Sequence, residues 1–265
     1  MSVPERRYEG AERRAWILHQ LRAAGFLSIS ELSRDLGVSP MTVRRDLHQL
    51  ESNGQIRLVH GGASLVPGSL HQMPLAQSEG AAAQTRIGRR SARLVAGEDV
   101  IGVDAGPAAY ALARALPESF SGTVITHSLP VMQLLIDRDA CAQLIALGGE
   151  FRSDRSAFVG PVTTSALDGL RVRTLFLAPA AIDSSGIYAD TPAEAAVQAR
   201  FVSIADRVVV LAAAEATAVT APALITPLGR VSRLVTDDAP PPEIRAALFR
   251  ASVDVDVEPS PPTYG

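Results

Sequence analysis

Lysine is missing from this chain: all 25 basic side chains are arginine. The bias reads as a property of the coding sequence rather than a functional device. A single cysteine, Cys141, excludes an internal disulfide and a cysteine-based zinc site. The five histidines, His19, His48, His60, His71 and His127, are scattered without ligand spacing, so no metal is expected. No glycine-rich run matches a nucleotide P-loop, and no cofactor is expected. Only 5% of residues are aromatic, so the cores must be built from Ala, Val, Leu and Ile. No apolar run approaches the ~18 residues of a membrane span. Met1 to Gly10 is charged and is followed by no apolar stretch, which argues against a signal peptide. A cytoplasmic protein that does not engage membranes is the expectation.

The 265 residues, 47% of them hydrophobic, accommodate two domains. The net charge of −3 is unevenly spread. Residues 1–62 hold nine Arg against seven acids, for +2, and the remainder carries −5. A mildly basic head on an acidic body suits a polyanion partner at the head only.

Three helices fit residues 12–53. Ile17, Leu18, Leu21 and Ala24 recur at helical spacing up to Gly25. Ser28 with Glu31 forms a capping box opening a helix that carries Leu32 and Leu36. Gly37-Val38 makes the turn. Ser39 caps the third helix with Pro40 at its first position, and Val43, Leu47 and Leu50 line its inner face. Ile56 to Val59 alternates as a strand should, and His60-Gly61-Gly62 can turn it back as a hairpin. Trp16 is expected in the core.

Residues 64–84, rich in Pro, Gly, Ser and Gln, read as a linker. Beyond them strand-like and helix-like segments alternate. Strands are expected at 100–104, 123–126, 143–147, 174–178, 207–212, 233–236 and 253–257. Helices are expected near 85–96, 107–116, 129–138, 192–205 and 241–250. The alternation predicts an α/β fold, a mostly parallel sheet covered on both faces. The predicted division is a winged helix-turn-helix at 1–63, a linker at 64–84, an α/β effector-binding and oligomerisation domain at 85–257, and a disordered tail at 258–265. Cys141, at a strand start, reads as a buried small hydrophobe.

A helix-turn-helix presents its second helix to the major groove, N-terminal residues to the base edges. With Val43, Leu47 and Leu50 inward, Met41, Thr42, Arg44, Arg45 and His48 are outward or flanking. Arg44 or Arg45 can pair with guanine or with phosphate, and Ser39 and Thr42 can bond phosphate at the positive helix end. Arg57 on the hairpin can grip the backbone beside the groove. The run Ser39-Pro40-Met41-Thr42-Val43-Arg44-Arg45-Asp46-Leu47, followed by Val59-His60-Gly61-Gly62-Ala63, closely resembles the DNA-binding signature of the DeoR family of bacterial regulators. The resemblance implies a recognition helix and wing on double-stranded operator DNA, bound by a symmetric homo-oligomer, dimer or tetramer, usually as a repressor. It places Thr42, Arg44 and Arg45 at the DNA. His60 is a phosphate contact or a turn residue, and Asp46 an intra-domain ion partner.

In parallel α/β sheets, ligands bind beyond the C-terminal strand ends. Four segments stand there: Asp104-Ala105-Gly106, Thr126-His127-Ser128, Leu147-Gly148-Gly149-Glu150, and the loop from Ala180 to Gly186. Gly148-Gly149-Glu150-Phe151-Arg152 and Ala157-Phe158-Val159-Gly160-Pro161 resemble the DeoR-family sensor domain, whose fold is similar to sugar-phosphate isomerases. The resemblance covers roughly residues 12–257. It implies a small-molecule effector, a sugar phosphate or related sugar, near Asp104, Gly106, Thr126, His127, Ser128, Gly148, Gly149, Arg152 and Glu194.

The chain departs from the family where that effector should sit. Pro107 and Ala108 stand where two Thr are usual, and His127 where Asn is common. Ala180-Ala181 replaces an Asp-Gly or Asn-Gly pair. Ala213-Ala214-Glu215-Ala216-Thr217 lacks the expected Asp and Lys. The pocket therefore either takes a different, uncharged molecule or has lost effector binding and serves oligomerisation. The rival class is a sugar-phosphate isomerase with an appended head. Glu194 would be its base, but no Lys exists to steady an enediolate, leaving only Arg152, Arg155 or Arg200 to supply charge. No catalytic residue is assigned.

Overall fold

A computed structural model describes residues 10–24, 26–52, 56–59, 62–65, 79–138 and 141–258. The chain divides into two compact units, 1–73 and 74–265. No helix among the described residues is long and apolar enough to cross a membrane.

The smaller unit runs α1 (Gly10–Ala24), β1 (Phe26–Ser28), α2 (Ile29–Leu36), α3 (Pro40–Ser52), β2 (Ile56–Val59) and β3 (Gly62–Leu65). The capping box forms as expected: Ser28 Oγ accepts from the Glu31 amide, and the Glu31 carboxylate accepts from the Ser28 amide at 2.9 Å. Gly37 closes α2 at φ 63°, a left-handed conformation that glycine adopts without a Cβ penalty, so α3 starts in a new direction. Ile17, Leu21, Leu32, Leu36, Val43, Leu47, Leu50, Ile56 and Ala63 form the core, with Trp16 packed partly buried against it. The strands pair antiparallel in the order β1-β3-β2, a helix-turn-helix with a wing. Strand β1 was not expected from the sequence; it extends the wing to three strands.

The larger unit opens with α4 (Glu79–Ala92). The expected linker is thus too long at both ends, because β3 holds Ser64 and Leu65, and Glu79 already begins a helix. Residues 66–78 lie outside the described ones. Then follow β4 (Val100–Val103), α5 (Pro107–Ala115), β5 (Thr123–Thr126), α6 (Leu129–Asp137), β6 (Gln143–Ala146), β7 (Glu150–Arg152), β8 (Ala157–Val159) and α7 (Pro161–Ala166). The chain continues through β9 (Val172–Leu177), β10 (Ala181–Ile182), β11 (Gly186–Ala189), α8 (Pro192–Ile204), β12 (Ala205–Leu211), β13 (Ala223–Pro227), β14 (Arg233–Thr236), α9 (Pro242–Arg250) and β15 (Asp254–Val257).

All seven strands expected from the sequence enter one sheet, ordered β15-β14-β12-β9-β4-β5-β6, and every pairing is parallel. Successive side chains point to opposite faces, and in the five inner strands both faces are buried, hence their nearly unbroken apolar runs. Ile101, Val103, Val124, Phe176, Val209, Leu211 and Val235 pack under α4, α5 and α6. Ile125, Leu175, Leu177, Val208, Val210 and Leu234 pack under α8 and α9. Helices α4 and α5 meet almost backbone to backbone at Gly88. A Cβ there would lie 2.6 Å from Ala108 O, Ala111 Cβ and Leu112 N.

The chain enters the sheet at its middle with β4, winds outward through β5 and β6, and returns to the other side of β4 with β9. The β4/β9 boundary is therefore the switch point, where loops diverge and leave a crevice beyond the strand ends. Two small additions stand apart from the main sheet: the β7–β8 hairpin and an antiparallel β10-β11-β13 sheet. Cys141 is exposed, contrary to the expectation of a buried hydrophobe: it precedes β6, an edge strand. The tail was expected from residue 258, but the Glu258 amide donates to Thr236 O at 2.7 Å, and residues 259–265 lie outside the described ones.

Candidate functional site

Helix α3 has one side locked and one side open. Val43, Leu47 and Leu50 are buried, whereas Met41, Arg44, Arg45, His48 and Gln49 are exposed. Neither Arg44 nor Arg45 joins an ion pair among the described residues. Asp46 does the opposite. It is buried, takes Arg13 Nε at 2.5 Å and has Arg14 at 3.6 Å, so it ties α1 to α3, the intra-domain ion partner expected. Ser39 Oγ accepts from the Thr42 amide at 3.2 Å, and the two hydroxyls lie 3.0 Å apart. His48 approaches Glu51 at 3.7 Å. Arg13, Arg14, Met41, Thr42, Arg44, Arg45, Asp46 and His48 line one cleft of about 770 Å³. Of the remaining expected contacts, the Arg57 side chain and all of His60 lie outside the described residues.

At the strand ends of the larger unit the sequence-expected residues divide. Asp104 follows β4 and is wholly buried. Its Oδ1 meets His127 Nε2 at 2.8 Å, and its Oδ2 accepts from the Ala178 amide at 2.9 Å, across the switch point. Oδ2 also accepts from Gln198 Nε2 at 2.8 Å. His127 is clamped by the β7–β8 hairpin: its backbone carbonyl accepts from Phe158 N at 2.9 Å, and its Nδ1 meets Phe158 O at 2.7 Å. The Phe158 carbonyl can only accept, so Nδ1 carries a proton. Burial pulls the imidazole pKa down. The Asp104 hydrogen bond and charge, the Phe158 carbonyl and the Glu194 charge together outweigh it, and the net shift is upward.

Thr126 and Ser128 are buried beside this pair, with Thr126 Oγ1 accepting from the Ser128 amide at 3.1 Å. Glu194, in the first turn of α8, is held by Arg155 Nε at 2.6 Å and by the Thr191 hydroxyl at 2.9 Å. Arg155 also pairs with Asp190. Arg152 spends its guanidinium on Asp154, at 3.0 and 2.8 Å, and does not touch the cluster. Gly148 and Gly149 contribute backbone. Thr163 Oγ1 lies 2.9 Å from Gly148 O and 2.8 Å from Val159 O, and a Cβ on Gly149 would lie 2.0 Å from that hydroxyl. Gly106, at φ 138°, precedes α5, which has no side-chain cap. Gln198 and Arg155 were not among the expected effector residues. Gln198 stands four positions after Glu194 on α8, the spacing that shares a helix face, and that was its one sequence signal. Among the described residues no group of three or more His, Cys, Asp or Glu side chains is placed to hold a metal.

A family profile described as the DeoR C terminal sensor domain matches residues 79–238, and one described as a DeoR-like helix-turn-helix domain matches residues 13–67. The chain is 32% identical over 249 residues to the uncharacterized HTH-type transcriptional regulator YgbI of Escherichia coli K12, covering 92% of this chain and 96% of that one. It is 31% identical over 188 residues to the lactose phosphotransferase system repressor of Lactococcus lactis, covering 69% and 73%. It is 26% identical over 251 residues to the HTH-type transcriptional regulator UlaR of Escherichia coli SMS-3-5, covering 92% and 98%. Among solved structures, a probable sor operon regulator from Shigella flexneri aligns at TM-score 0.38 and 11% identity, over 68% of this chain and 87% of that one. Ribose 5-phosphate isomerase A from Methanocaldococcus jannaschii aligns at TM-score 0.34 and 16% identity, over 48% and 50%. Scores this low carry no argument about chemistry.

Proposed function

The chain belongs to the DeoR family of transcriptional regulators, and from that premise we propose that α3 reads operator DNA through Arg44 and Arg45 while a small effector binds beyond β4, β5 and β9. The carrying observation is α3 itself. Its apolar side is fixed in the head core, and two exposed arginines, paired with nothing among the described residues, stand on the other side. Free guanidiniums match phosphate and guanine edges as fixed forks, and Asp46 holds Arg13 and Arg14 on the same cleft. Ser39, Met41, Thr42 and His48 complete the proposed DNA face, with Arg57 of β2 added to it, and His60, which lies outside the described residues, is proposed as a further contact.

The effector half rests on the position of Asp104, His127 and Glu194 at the switch point, with Thr126, Ser128, Gly106, Gly148 and Gly149 around them. Glu194 is engaged by Arg155 and Thr191, which supports a structural acid rather than an isomerase base. The Lactococcus relative is a repressor by name, and the same sign of regulation is proposed here, with a homo-oligomer engaging two half-sites. In this reading the effector shifts the equilibrium between two states of differing DNA affinity.

Genome-wide mapping of bound sites supplies an operator fragment, and gel shifts on it test the helix. The R44A/R45A variant is expected to bind at least tenfold more weakly at physiological salt. The slope of log K against log salt should fall by about 0.9 for each phosphate that the variant no longer neutralises. Unchanged shifts would remove α3 from the interface.

A further inference from the structure

Helix α3 turns one apolar side chain outward. Met41 is 70% exposed, more than any other large apolar side chain described in the smaller unit, where Phe26 follows at 46%. The helix advances about 100° per residue, so Met41, Arg45 and His48 fall within about 60° of one another, and Leu50, in the core, lies about 180° from Met41. Because α3 begins at Pro40, Met41 stands in its first turn. In a helix-turn-helix that turn carries the residues nearest the base edges. The cleft that Met41 lines holds the guanidiniums of Arg13, Arg14, Arg44 and Arg45 against the one carboxylate of Asp46. Among the described residues Met41 is the one apolar side chain lining it.

The arginines serve phosphate and guanine, and Met41 shares none of that chemistry. A thioether donates no hydrogen bond and is at most a weak acceptor, so it bonds neither phosphate oxygens nor the acceptor edge of guanine. The core offers it no place either, because Val43, Leu47 and Leu50 fill the opposite side of the helix. The major groove presents one apolar group to such a side chain, the C5-methyl of thymine. An unbranched, polarizable thioether fits itself to that methyl without demanding an exact geometry. Thr42 also carries a methyl, but it is half-buried and its hydroxyl lies 3.0 Å from that of Ser39.

We infer that Met41 is a specificity-determining residue of the DNA face and that it reads a thymine by contact with the C5-methyl, one helical turn before Arg44 and Arg45. The inference rests on the DNA reading above and assigns part of its sequence preference to an apolar contact.

The test uses the full chain and the mapped operator fragment, with each thymine of one half-site replaced in turn by deoxyuridine. The swap removes one methyl and leaves every hydrogen-bonding group of the base in place. Wild type is expected to lose about fourfold at one position or two adjacent ones, the equivalent of about 0.8 kcal/mol for one methylene-sized group. M41A should bind the unmodified operator more weakly by a similar factor and show no further loss at that position. M41L, still apolar, should keep the preference for thymine. The salt slope of M41A should equal that of wild type, since no phosphate contact is removed, whereas R44A/R45A lowers it. Thermal melts verify that the variants fold. Wild-type affinity unchanged by deoxyuridine at every position overturns the inference. So does a deoxyuridine loss that M41A shows in full, which assigns the methyl to another side chain. A lowered salt slope in M41A also overturns it, by making Met41 a prop for the arginines. Failure of the DNA reading looks different: R44A/R45A then binds the unmodified operator as wild type does.

Discussion

Replacing Gly88 by alanine pits two effects of opposite sign against each other. Alanine in a helix interior is favoured over glycine by about 1 kcal/mol. The new methyl, however, would stand 2.6 Å from three atoms of α5, where ordinary contact begins at 3.4 Å. Two of those atoms, Ala108 O and Leu112 N, are backbone and cannot swing aside. Helices α4 and α5 would have to separate by roughly an ångström over a packed core, and overpacking of this kind costs about 1–3 kcal/mol. With two of the three contacts to fixed backbone the cost falls in the upper half of that range, about 2–3 kcal/mol, so the methyl should win, for a net loss of about 1–2 kcal/mol, or roughly 2–8 °C in a unit of this size. The assay is thermal melting followed in two ways. Trp16, the sole tryptophan, reports the smaller unit by fluorescence, while far-ultraviolet circular dichroism reports mainly the larger. G88A should lower the dichroism midpoint and leave the Trp16 transition nearly in place. G97A, with nothing within 4 Å of its methyl, should stay within about 0.5 kcal/mol of wild type. A G88A protein as stable as wild type, or more so, would refute the close-contact argument.

Two further outcomes follow from the ion pairs. His127 has its folded pKa raised, so its stabilisation is complete below the unfolded value of about 6.5 and fades as pH rises through the folded value. The urea-midpoint gap between wild type and H127N should therefore be widest near pH 6 and shrink toward pH 9; a gap that is flat or grows with pH contradicts the charged pair. D46N should leave Arg13 without its carboxylate inside the head and cost about 2–3 kcal/mol, somewhat less than a fully buried pair because Arg14 is a third exposed. Urea unfolding followed by Trp16 fluorescence checks it, and an unchanged midpoint would show that Asp46 does not tie α1 to α3.

The five inner sheet strands were legible because each carries a short apolar run, rich in Val, Ile and Leu, that is buried on both faces; the edge strands β6 and β15 are largely exposed and show only as short Leu- or Val-bearing segments between turn residues. The hairpin at 150–159 was not legible, since Glu150-Phe151-Arg152 has three residues, two of them charged, and forms a strand by pairing with β8, whose Phe158 bonds His127. The start of α4 was hidden for a related reason. Glu79-Gly80-Ala81-Ala82 shows no apolar stripe, and buried residues of α4 such as Ala83 and Ile87 come only after it. In the candidate site, strand-end logic singled out Asp104 and His127, which the structure brings into contact, and the resemblance added Glu194 on α8. The contact of Gln198 with Asp104 was not legible, because it joins residues 94 positions apart in the chain. The effector role that the resemblance implies for Arg152 depends on a side chain that the structure pairs with the neighbouring Asp154.

Because the sheet is entered at its centre, β4 is completed long before its second neighbour exists. Roughly seventy residues separate the end of β4 from the start of β9. At ribosomal speeds of about 5–20 residues per second, the newborn half-sheet waits on the order of 4–14 s with one open edge. During that interval α4, α5 and α6 can shield one face, while Ile125 on the other lacks α8. The nascent chain thus passes through a sticky stage built into its winding order, and the demand for chaperone protection should concentrate there.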